Sequence, residues 1–185
     1  MKKSYQYLIA SLLIAFIILS REYSPLANFT AVGAVALFAG FLMGRIRGIT
    51  IVVAGMFISD LFFEGLHDLG VMITVYSAFI ACVFIGSARW STGLRNRNLD
   101  RLITVFSKGI VSGTIFYLIS NLGVWLFAGM YSLSLTGLIE CYTMALPFFR
   151  FTWLGDVSFA LLLFGNYYII ADRVEATAKS IIIKG

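Results

Sequence analysis

Apolar residues in this chain run in long blocks rather than alternating. The blocks cover Tyr5 to Ser20, Phe29 to Gly44, Ile49 to Phe63, Leu69 to Ala88, Leu102 to Ala128 and Phe151 to Ala171. Runs of this length predict helices that cross a bilayer, because a strand needs about ten residues and a spanning helix about twenty. The expected architecture is an all-α integral membrane protein, a single domain over 1–185. Its six transmembrane helices fall at about 5–20, 29–44, 49–64, 69–88, 102–128 and 151–171. The second and third runs are short, but about 16 residues can cross a locally thinned bilayer. Lys2 and Lys3 precede the first run, and no small-x-small cleavage site follows it in Ser20-Arg21-Glu22-Tyr23. The first run therefore reads as a retained span rather than a leader. The stretch 131–149 is moderately apolar but holds Glu140 and Pro147. It is expected to form an outer interfacial or re-entrant helix.

Charge orients the spans. Short loops rich in Lys and Arg stay in the cytoplasm. With six spans and both termini inside, eleven of the fourteen basic residues are cytoplasmic, only Arg21 and Arg150 are on the outer side, and Lys108 lies within the fifth span. A seventh span would place Arg173, Lys179 and Lys184 outside. Glu22, Asp60, Glu64, Asp68, Glu140 and Asp156 have the opposite bias, toward the outer side. Acidic residues contribute little to topology, so that bias calls for another cause. Composition agrees: hydrophobic residues make up 60% and charged residues 12% of the chain, with a mean hydropathy of +0.93. A soluble domain is about a quarter charged. These values exclude a soluble enzyme, a disordered chain and a nucleic-acid-binding domain. The net charge of +5 is a topology signal, since the cations cluster in loops. Cys82 and Cys141 lie in distant apolar segments and read as buried thiols.

Polar groups inside spans are the candidate functional residues, because a charge there costs at least ~2.5–3.5 kcal/mol. Asp60, Glu64 and His67 follow i, i+4, i+7 spacing, which places them on one face of a helix near its outer end. Asp156 lies about 7 Å into the sixth span by helical rise, within reach of the same level. Asn121 and Trp125 are i, i+4 on the fifth span. Asn28 opens the second span as a ligand contact or an N-cap. Trp125, Tyr131, Tyr142 and Trp153 suit an interfacial belt or a stacking surface for a flat ligand. The predicted ligand set is Asn28, Asp60, His67, Asn121, Trp125, Tyr142 and Asp156. Arg21 and Arg150, the outer cations, can pair with Asp60, Glu64 or Asp156, or hold an anion. Lys108 is expected to snorkel to the cytoplasm. Gly33, Ala36, Gly40 and Gly44 form a small-residue face for close helix packing, with an internal or an external partner.

Catalytic signatures are missing. The sequence has no phosphate-binding Gly-x-x-x-x-Gly-Lys-Ser/Thr and no His-Glu-x-x-His. A single histidine cannot build a multi-histidine metal site. No enzyme activity, cofactor or metal is expected.

Three strings resemble a family of small bacterial membrane proteins of unassigned function. They are Asn28-Phe-Thr-Ala-Val-Gly-Ala-Val-Ala-Leu-Phe-Ala-Gly40, Ser120-Asn-Leu-Gly-Val-Trp-Leu-Phe-Ala-Gly-Met-Tyr131, and Gly137 to Phe149 with Gly155-Asp156. That family in turn resembles the substrate-binding S components of energy-coupling factor (ECF) vitamin transporters. The shared features are about 180 residues, six spans, cytoplasmic termini, a Gly44-Arg-Ile-Arg-Gly48 turn and an acidic residue late in the third span. The resemblance implies a binder of a vitamin or cofactor precursor in an outward-facing cavity. It also implies an ECF coupling subunit and ATPases as partners. The first span departs from the S-component Ala-x-x-x-Ala docking pattern, since Ala10 and Ala15 are five apart. The expected function is thus uptake of a small-molecule ligand across the bacterial inner (cytoplasmic) membrane. Its rivals are a non-catalytic scaffold subunit of a membrane complex and a proton-coupled carrier using Asp60 and Asp156.

Overall fold

A computed structural model describes residues 3–65 and 68–184. Among these residues there are six α-helices and no strand: α1 (Lys3–Glu22), α2 (Val32–Met43), α3 (Arg45–Ser59), α4 (Leu69–Ser87), α5 (Arg97–Phe127) and α6 (Leu135–Lys184). A π-helical turn, Asp60–Glu64, continues α3. Five helices are long and apolar enough to cross a membrane: α1, α3 with its π turn, α4, α5 and α6.

The exception is α2. Phe29 to Gly44 reads as a span, yet the helix has only 12 residues. At 1.5 Å per residue it is about 18 Å long, against a hydrocarbon core of about 30 Å. Its first turn is lost because Asn28 takes a left-handed backbone, φ 65°, and the chain stays irregular to Ala31. There the Ala31 amide donates to the Ser20 hydroxyl at 3.0 Å. Gly44, at φ 82°, makes the sharp turn into α3. Between these breaks every residue from Val32 to Gly40 is buried, and α2 touches each of the other five helices. It is the core of the bundle rather than a lipid-facing span.

The small-residue face is used internally. A Cβ on Gly40 would strike the Val83 carbonyl, and one on Gly86 would strike the Leu37 carbonyl. The α2 and α4 backbones therefore meet directly at this crossing. Ala36 is fully buried. Gly33 faces Asp156 of α6. Gly44 does not extend this packing face: nothing lies within 4 Å of its would-be Cβ, and it serves the turn instead.

The second departure is α6. The segment 131–149, expected as a separate outer helix, is mostly the first part of one 50-residue helix that includes the sixth span. Pro147 removes one backbone donor and frees the Thr143 carbonyl, but α5 splints the helix across it. The Tyr117 hydroxyl donates to the Tyr142 carbonyl at 2.7 Å, and the Tyr142 hydroxyl donates to the Leu118 carbonyl at 2.6 Å. Beyond the proline, the Tyr117 and Phe149 rings stack at 4.2 Å. Neighbouring helices commonly re-satisfy a proline site in apolar bundles.

Basic residues gather at one end. Arg97 and Arg101 pair with Asp172 at 3.0 and 2.8 Å, and Arg45 lies over the Phe84 ring. Lys108 does not simply reach for solvent. Its side chain is buried, and Nζ donates to the carbonyls of Gly86 (3.2 Å) and Ala88 (2.9 Å). It thus caps the carbonyl end of α4, where a cation is favoured. Replacing Lys108 by Met is expected to lower stability by about 1.5–3 kcal/mol, the range for hydrogen bonds to a charged group. Thermal denaturation in detergent checks this, and an unchanged midpoint would refute the cap.

Candidate functional site

At the end opposite the basic cluster, the 23–31 loop folds over the bundle. The Ser24 hydroxyl holds it by reaching the Leu26 and Phe29 carbonyls, each at 2.7 Å. Phe29 packs on Phe159 with ring centroids 5.4 Å apart. Beneath this loop is a cavity of about 590 Å³ to which all six helices contribute. Arg21 and Glu22 come from α1, Val32 from α2, Met56 from α3, Val75 and Phe79 from α4, Phe116 from α5, and Thr152 and Asp156 from α6. The loop adds Ser24, Asn28 and Thr30. A smaller cavity of about 210 Å³ shares Asn28, Val75, Phe116 and Thr152 with it and runs between α5 and α6 to Ser120 and Asn121. A volume of this size, with apolar walls and a comparable set of polar groups, suits a small molecule.

Asp156 is the chemically distinctive group. It is 4% exposed. The Ala34 amide, in the first turn of α2, and the Ser112 hydroxyl stand beside its carboxyl, and the helix start favours negative charge there. Oδ2 is nevertheless buried with no hydrogen-bond partner among the described residues. A buried polar atom left unpaired costs about 1–3 kcal/mol, more when charged. Gly33 makes room for the group, since a Cβ there would overlap the carboxylate oxygens.

The opposite wall is fixed by an ion pair. Arg21 Nη2 lies 2.6 Å from Asp60 Oδ1, and the Tyr76 hydroxyl donates to Asp60 Oδ2 at 2.6 Å. Asp60 is 3% exposed and ties α1, the end of α3 and α4 together. Arg21 faces the cavity, and Asp60 is not among the residues that line it.

The chain matches a family of unknown function, DUF6580, over residues 1–178. It belongs to that family. No curated protein and no solved structure matches the chain.

In this DUF6580 chain the seven predicted ligand residues separate into groups. Asn28 and Asp156 line the larger cavity, and Asn121 lines the smaller one. Asn28 is not an N-cap, because α2 begins at Val32. Asn121 also donates to the Tyr117 carbonyl at 2.8 Å. Asp60 stands behind Arg21. Trp125 and Tyr142 line neither of these cavities; the Trp125 indole donates to the Ser132 carbonyl at 2.9 Å, and Tyr142 is bonded to α5. His67 lies outside the described residues. The α-helical register that would stack Asp60 with Glu64 is interrupted by the π turn. Asp68 is an N-cap: Oδ1 accepts from the Gly70 amide at 2.8 Å and the Val71 amide at 3.2 Å. Sequence reasoning missed Phe79 and Phe116, whose rings stack at 4.6 Å on the cavity wall. Two phenylalanines in apolar runs carry no mark that separates them from ordinary core.

Proposed function

We propose that this protein is a transport component of the bacterial inner membrane. It takes a small molecule from the outer side into the cavity under the 23–31 loop, with both termini cytoplasmic. In this reading it works as the S components of ECF transporters do, on a vitamin or cofactor precursor, with a coupling subunit and ATPases supplying the energy. The observation that carries the reading is a roughly 590 Å³ cavity lined in part by Asp156, a buried carboxyl group with an unpartnered oxygen. A purely structural bundle gains nothing from leaving such an oxygen unpaired, whereas a binding site needs one. The collection of basic groups at the far end agrees with a cytoplasmic placement of that end. The scaffold alternative drew on the Gly40-x-x-x-Gly44 face and the aromatic content; of that face, Gly40 is covered from within by α4.

The test is to purify the protein from its native membrane in mild detergent and identify what co-purifies by mass spectrometry. A stoichiometric small molecule that is lost from the Asp156→Asn variant is the expected result. A protein that is empty and bound stoichiometrically to membrane partners lacking ATPase subunits would overturn the transport reading.

A further inference from the structure

The charges around the cavity do not balance. Among its lining residues are one cation, Arg21, and two carboxylates, Glu22 and Asp156. Arg21 is already held by a third carboxylate, Asp60, at 2.6 Å. Asp156 is the one at depth, and its Oδ2 finds no donor among the described residues. A buried polar oxygen left unpaired in this way is tolerated where a complementary group arrives to pair with it. The complementary group is a cation or a strong N–H donor. The same cavity has a stacked pair of rings, Phe79 and Phe116, on its wall. Flat apolar groups and delocalised cations both pack well on such faces.

We infer that the ligand class is a small, flat, nitrogen-containing organic cation, whose charged N–H group pairs with Asp156 while its ring system lies against Phe79 and Phe116. This deepens the binding reading above and rests on it. It also gives part of the acidic bias of this end a cause: Asp60 and Asp68 have structural partners, and Asp156 is reserved for the ligand.

The test uses one ring frame in three charge states: 2-naphthamidinium, 2-naphthamide and 2-naphthoate. Binding of each to the purified full chain in uncharged detergent is measured by calorimetry and by thermal shift, in wild type and in Asp156→Asn. The amidinium is expected to bind at least about tenfold more tightly than the amide, since hydrogen bonds to a charged group are worth the equivalent of that factor or more. The naphthoate is expected not to bind. The preference should vanish in Asp156→Asn. Equal binding of all three, a preference for naphthoate, or a preference that survives in Asp156→Asn overturns the cation assignment and leaves the binding reading standing. Failure of all three to bind wild type overturns both for flat ligands. If Asp156→Asn does not fold, the wild-type charge series decides alone.

Discussion

Removing Arg21 alone destabilises the protein more than removing Arg21 and Asp60 together. Arg21→Met leaves the Asp60 carboxylate, 3% exposed, with the Tyr76 hydroxyl but without the guanidinium 2.6 Å away. Breaking a buried pair by deleting one partner costs about 3–5 kcal/mol, whereas replacing both partners with apolar groups of similar volume is often neutral. The Arg21→Met, Asp60→Leu double variant is therefore expected to recover part of the loss, the remainder reflecting the Tyr76 hydroxyl left without its acceptor. Thermal or denaturant unfolding in detergent measures the cycle. A double variant as unstable as the single one would show that the pair is not what the carboxylate depends on. Because the pair joins α1, the end of α3 and α4, its loss should loosen the wall of the cavity and not only one helix.

A comparable loss is expected at the α2–α4 crossing. Gly86→Leu places a side chain against the Leu37 carbonyl, which is helix backbone and cannot rotate away. Overpacking in cores costs about 1–3 kcal/mol and sometimes more. Here the neighbour is backbone, so the upper part of that range or beyond is expected, with a reduced yield of monodisperse protein. Gly165→Ala on α6 is the control. Nothing lies within 4 Å of a Cβ at Gly165, and alanine is favoured over glycine in a helix by about 1 kcal/mol. It should be neutral or stabilising. If Gly86→Leu is equally harmless, α2 and α4 are not in direct backbone contact.

Hydropathy made most of this bundle visible beforehand, because apolar runs bounded by Arg and Asp leave few alternatives. α1, α4 and α5 begin and end within a few residues of the predicted spans. It failed where an apolar stretch is not helical. Phe29 belongs to the hydrophobic run, but it packs on Phe159 from a loop, so the second helix came out too long. It failed again at Glu140 and Pro147. In water a proline and a charge at that spacing argue for a break, while here α5 supplies the hydroxyls and rings that hold the helix together.

The site was legible to the degree that its groups are polar. Asp156 stands out because an ionisable residue inside a span is expensive, and the cavity contains it. Trp125 and Tyr142 looked like ligand contacts by position. Their N–H and O–H groups instead donate to backbone carbonyls, as the polar ends of half-buried indoles and phenols commonly do. Phe79 and Phe116 were hidden because their chemistry matches the rest of α4 and α5. Only the three-dimensional arrangement separates a cavity wall from a core.

The shortness of α2 has a consequence for how the protein is made. A 12-residue segment leaves its first amides and last carbonyls at a depth where lipid offers no hydrogen bond. It is not a stable passenger on its own. α3 follows after the single residue Gly44, so the two are expected to insert together as one hairpin. The cradle that finally encloses α2 is closed by α4, α5 and α6, all synthesised later. Completion of the cavity therefore waits for the last third of the chain, and a nascent protein stalled before α6 lacks both Asp156 and the wall that carries it.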